Sequence, residues 1–100
     1  MDAEIRSRLE QIVDNILEAP DTMEASSESV LVAMGIAPGL ETVLSFWIGH
    51  IQGVFASYLS WNQHREANRE ELEEFLELAK RRGFEMREAI LSSRIKKQRP

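Results

Sequence analysis

The 100-residue chain contains no cysteine. That absence excludes disulfides, a thiol nucleophile and thiolate metal centres, so packing, polar contacts or a partner subunit must hold the fold. Proline and glycine are scarce, three and five residues respectively. Long stretches therefore run without a helix breaker, and no strand alternation, repeat or low-complexity segment interrupts them. A further absence is local: from Thr42 to His64 there is no Asp, Glu, Lys or Arg, although charged residues make up 29% of the chain. Bases are nearly missing from the first part, where residues 1–41 carry nine acids against Arg6 and Arg8, a net −7. Residues 65–100 carry ten bases and eight acids, a net +2. Ends of complementary sign favour antiparallel docking of the first helix near the last, within a subunit or between two, while ordinary solvated helix faces account for the same charges. The opening, acidic and amphipathic, lacks the basic start and unbroken apolar run of a secretion signal, which fits a cytoplasmic protein.

What is present is helical periodicity. Ile5, Leu9, Ile12, Val13, Ile16 and Leu17 follow the 3-and-4 spacing of one apolar face and predict a helix from about Asp2 to Ala19, stopped by Pro20. Asp21 stands three residues before Glu24, the spacing of an N-cap and its reciprocal partner, so a short second helix is expected from there to Met34. Gly35 can end it in the left-handed conformation, and the GIAPG turn leads into a third helix from about Gly39 to His64.

The third helix is apolar nearly all round. Leu44, Ile48, Ile51, Phe55 and Leu59 form one stripe, and Val43, Trp47, Val54, Tyr58 and Trp61 another. Ser45, Gly49, Gly53 and Ser57 recur every four residues and stack into a small ridge where a second backbone can approach closely. A helix without a polar face is either central in a helical protein or inside a membrane. Residues 42–64 are long enough to span a bilayer, but His50 and Gln52 sit near the middle, where a lone span has nothing to satisfy them. A central core helix is the favoured reading, with His50 buried and hydrogen-bonded across a helix contact.

Asn68 is a good cap for a fourth helix, with acids in its first turns. Lys80, Arg81, Arg82 and Gly83 resemble a helix end, with Phe84 folding back on Leu78 or Ala79 and a fifth helix carrying Met86, Ala89, Ile90 and Ile95. The competing reading is one continuous helix, because Leu72, Phe75, Leu76, Ala79, Gly83, Met86 and Ile90 contain an unbroken series of fours and threes from Leu72. The break is preferred.

Chemistry is thinly represented. Glu66, Glu70 and Glu74 lie one turn apart, and Glu70, Glu74 and Glu77 could hold a divalent cation if another helix supplied more oxygens. The EELEE string at 70–74 resembles the Glu-Glu-x-x-Glu motif of all-helical MazG-like nucleotide pyrophosphohydrolases. The second acidic motif of that family would have to be Glu85 with Glu88, which lacks the aspartate and follows too closely, so the activity is not carried over. His50 and His64 lie about 21 Å apart along a helix and cannot share an ion in one chain. No nucleophile elbow, phosphate-binding glycine loop or zinc spacing is found. The terminal RIKKQRP could touch phosphate, but the acidic body argues against nucleic acid.

The sequence thus predicts an all-α bundle of four or five helices around a central apolar helix, about 39–64, in a single domain spanning 1–100 with a short basic tail at about 94–100. No catalytic residue, cofactor or metal is expected. The expected role is a small soluble interaction module, a scaffold or regulatory protein, forming a homodimer through Ser45, Gly49, Gly53, Ser57 and Trp61. Another protein is a further possible partner. A metal-dependent nucleotide hydrolase on the Glu70–Glu77 face and a single-span membrane-associated protein through residues 42–64 are the alternatives.

Overall fold

The apolar spacing of the first segment closes into α1 (Ala3–Glu18), which buries Ile5, Leu9, Ile12, Val13 and Ile16 along one side. The computed structural model describes residues 2–98. The Asp2 carboxylate accepts the Glu4 amide at 2.7 Å and the Ile5 amide at 3.4 Å, satisfying two of the donors that a helix start leaves open. Pro20 ends α1, but no loop follows. Ala19 caps α1 and also precedes α2 (Pro20–Ala33), whose first turn accommodates the proline because its missing N–H costs nothing there. Asp21 therefore sits inside the first turn rather than capping the helix, and Glu24 turns onto the buried side. The capping pair expected from Asp21 and Glu24 does not form.

The end of α2 follows the expected glycine stop. Gly35 adopts φ 75°, its amide donates to the Val32 carbonyl at 3.0 Å, and the Ile36 amide reaches back to Leu31 at 2.8 Å. These are the paired bonds of a Schellman end. Helix α3 (Leu40–Gln63) then buries Val43, Leu44, Trp47, Ile51, Phe55 and Leu59. It ends at His64, which holds the left-handed conformation at φ 56°.

Asn68 caps α4 (Arg69–Gln98) as expected, and the cap is reciprocal. Its Oδ1 accepts the Glu71 amide at 2.9 Å, while its own amide donates to Glu71 Oε1 at 3.0 Å. The break expected at Gly83 is absent. One helix runs through Gly83, Phe84 is 71% exposed rather than folded back, and Met86 and Ile90 are fully buried. A glycine inside a helix costs about 1 kcal/mol, whereas fully burying a side chain the size of Met86 or Ile90 contributes about 1.5–3 kcal/mol. Continuity keeps both in register with Phe75 and Leu78. Arg82 occupies the same buried side between them, with its head group on Asp14 at 2.7 Å and Glu85 at 3.0 Å.

Four helices and no strand make up the described residues, all six helix pairs touch, and the molecule measures 46 × 25 × 19 Å. The long dimension matches α4, since 30 residues rise about 45 Å. Ion pairs show the directions. Arg6 meets Glu74, Glu10 meets Arg81, Asp14 meets Arg82, and further along Glu24 and Glu28 meet Lys97. The α1–α2 rod therefore runs parallel to α4 along its length, and α3 runs antiparallel, with Glu41 near its start bonded to Arg87. The complementary charges of the two ends are used, but with the first helix parallel to the last rather than antiparallel.

Candidate functional site

The small residues of α3 stand on the outside of the chain. Ser45, Gly49, Gly53 and Ser57 are all exposed, and a Cβ added at Gly49 or Gly53 would meet nothing within 4 Å. Among the described residues no other helix packs on the row at Gly49 and Gly53. Gln52, Ala56 and Ser60 extend it into a face without a single charge, open to water on a protein of net charge −5. Its other boundary is α4. A groove of about 500 Å³ is lined by Ala56 and Ser60 from α3, by His64, Arg65, Glu66 and Ala67 of the connecting turn, and by Leu72 from α4, so charge returns at this edge of the face. At the opposite end the Arg87–Glu41 pair, 2.9 Å, closes the seam. On α4 the flank presents Leu72 and Leu76, 43% and 56% exposed. Trp61 is 80% exposed at the end of α3. It is not part of the second core stripe to which its spacing assigned it.

The solvent-exposed area is consistent with an uncovered face. The chain exposes 6423 Å², whereas a monomer of 11.5 kDa is expected to expose roughly 5,800 Å². The radius of gyration, 14.5 Å, exceeds the ~13 Å typical of this length.

Two carboxylates lie inside rather than outside. Glu24 is completely buried, bonded to Arg94 at 3.3 Å and to Lys97, whose ammonium also reaches Glu28 at 3.2 Å. Burial pushes the Glu24 carboxyl up, but the hydrogen bonds from Lys97 and Arg94 outweigh it and leave the group below its ordinary value. Arg94 also donates to the Pro38 carbonyl, tying α4 to the α2–α3 turn. The basic run is thus not free: residues 94–98 continue α4, and Arg94, Lys96 and Lys97 all engage acids of α2. Arg99 and Pro100 lie outside the described residues. Glu71 is the second case, gripped by Arg65 at 2.6 and 2.8 Å and by the Asn68 amide. Its carboxyl falls to about 2, chiefly through the Arg65 hydrogen bonds, against the opposing effect of burial.

The acidic row of α4 gathers no metal centre. Glu74 is engaged by Arg6 at 3.2 Å, and Glu77 pairs with Lys80 at 3.7 Å. Among the described residues no group of three or more His, Asp or Glu side chains is placed to hold an ion, Glu70, Glu74 and Glu77 included. His50 is exposed instead of buried; it lines a groove of about 390 Å³ between α1, α2 and α3. Among the described residues no helix is long and apolar enough to cross a membrane, α3 included. The buried role of Glu24 was missed, although a signal existed. Glu24, Ser27 and Leu31 share the 3-and-4 spacing of one face, and all three are buried. The chain matches no known family model, no curated protein and no solved structure.

Proposed function

We propose that the chain is a small, soluble, cytoplasmic protein-interaction module that works as a homodimer, its two copies joined through the exposed face of α3. The observation that carries this reading is the uncharged row Ser45, Gly49, Gly53 and Ser57, which lies open and unpacked within one chain. In a two-fold interface each residue near the axis meets its own copy. A charge there would face a like charge, so a charge-free helix face suits the axis. Glycines at 49 and 53 let two α3 backbones close in, as small residues do wherever helices cross tightly. Leu72, Leu76 and Trp61 flank the row and would add apolar contact at the rim.

Gly53→Leu tests this, because mass and stability separate the possibilities. On an exposed monomer helix the change relieves glycine's helix penalty and should raise stability by about 0.5–1 kcal/mol. At a two-fold contact it drives the backbones apart, so light scattering should report loss of the dimer while circular dichroism stays helical. An unchanged mass with a raised melting temperature would remove the row from any interface.

A further inference from the structure

The groove of about 390 Å³ between α1, α2 and α3 has an apolar floor of Ile12, Ile16, Met23 and Val54, with Arg8 and His50 at its margin. The rest of its lining is small or neutral and polar, and no carboxylate contributes. That is unusual on a chain with 17 acids. Arg8 is also exceptional. Among the described residues every other Lys and Arg pairs with a carboxylate. Arg8 instead lies 5.6 Å from the centre of the Tyr58 ring and donates one N–H, at 2.9 Å, to the neutral Gln11 side chain. Tyr58 and Gln11 belong, with Glu4, to the lining of a neighbouring groove of about 410 Å³, so Arg8 stands on the wall between the two grooves, held in place by stacking and that bond, with its remaining donors open for a planar anion. The volume falls within the range of small-ligand sites, and an apolar floor with a few convergent polar groups is their usual make-up.

We propose that this groove binds a small organic carboxylate with a short apolar body, the body lying on Ile12, Ile16, Met23 and Val54 and the carboxylate meeting Arg8, with His50 as a second polar contact. The site is independent of self-association: it lies between α1, α2 and α3 and does not depend on a second copy.

Octanoate and phenylbutyrate, with octanol and octylammonium as neutral and cationic controls, test it by amide chemical-shift titration of the full chain. Octanoate or phenylbutyrate should give saturable shifts centred on Met23, His50 and Val54, with octanol and octylammonium at least tenfold weaker. Arg8→Gln, on an exposed side chain, should leave the spectrum folded and weaken carboxylate binding at least tenfold, with Arg8→Lys restoring part of it. The proposal is overturned if no saturable shifts arise at those positions up to about 10 mM, a concentration that detects even millimolar affinities. It is equally overturned if octylammonium binds as well as octanoate, if Arg8→Gln has no effect, or if these positions shift with protein concentration alone because a second copy fills the groove. Light scattering on the same samples keeps the two proposals apart: a dimer that ignores carboxylates refutes only the groove, and a monomer that binds them refutes only the dimer.

Discussion

Taking a carboxylate out of water costs several kcal/mol unless cations and hydrogen bonds accompany it, and Glu24 has Arg94 and Lys97 beside it. Glu24→Ala removes the buried partner of Arg94 and Lys97, which remain partly exposed and keep Pro38 and Glu28, and should cost about 1–3 kcal/mol in urea unfolding. Truncation after Ile95 removes Lys96 and Lys97 and should itself lower stability measurably. A truncated chain as stable as the whole would show that Arg94 alone satisfies Glu24. Glu71 supplies a pH dependence with a definite sign. Because its carboxyl is lowered from 4.5 to about 2, the folded state holds the proton less readily than the unfolded state. The stability from its Arg65 and Asn68 bonds is complete above about pH 4.5 and is lost as pH falls toward 2. Glu71→Gln should therefore be less stable than the natural chain near pH 7, and the gap between them should close through that window. Neither carboxylate was legible from composition. Hydropathy treats every glutamate as a surface residue, and three-dimensional packing decides which two of the ion-paired glutamates are buried.

The capping signals show how far local patterns carry at the scale of the helix. Asp21 with Glu24 and Asn68 with Glu71 present the same spacing, yet only the second forms a reciprocal cap. Pro20 decides the difference: fixed near helical φ and lacking an N–H, it starts α2 one residue early and carries Asp21 into the first turn. The Gly35 stop was readable because left-handed backbone has a residue signature, whereas His64 adopts that conformation without one. The Gly83 stop was misread because bases, glycine and a following aromatic all satisfy the local rule, while the pull of Met86 and Ile90 into the core is a long-range effect. Gly83→Ala tests continuity. In an unbroken helix with open space at the Cβ, it should stabilise α4 by about 0.5–1 kcal/mol. A left-handed glycine end would instead be destabilised by the same change, so the sign of the melting shift reports the backbone state at residue 83.

At the scale of the molecule, the all-helical class follows from the helical periodicity, and the long uncharged segment becomes a helix with six buried side chains. What the sequence could not separate is the core side of α3 from the outer side, because both are uncharged. Only the packing of α1, α2 and α4 shows that Val43, Trp47 and Phe55 turn inward while Gly49 and Gly53 turn outward. A second uncharged surface, Val30, Val32, Met34 and Ile36 at the end of α2, is also exposed, but it lacks the row of small residues that lets two helix backbones close in. The α3 face, uncharged and small, suits a second copy by symmetry. The most direct test is the absolute mass of the natural chain in solution, measured by multi-angle light scattering at micromolar concentration and moderate salt. A homodimer gives twice the 11.5 kDa of one chain, falling to a single chain in Gly53→Leu. A natural chain that remains at 11.5 kDa as its concentration is raised would contradict it.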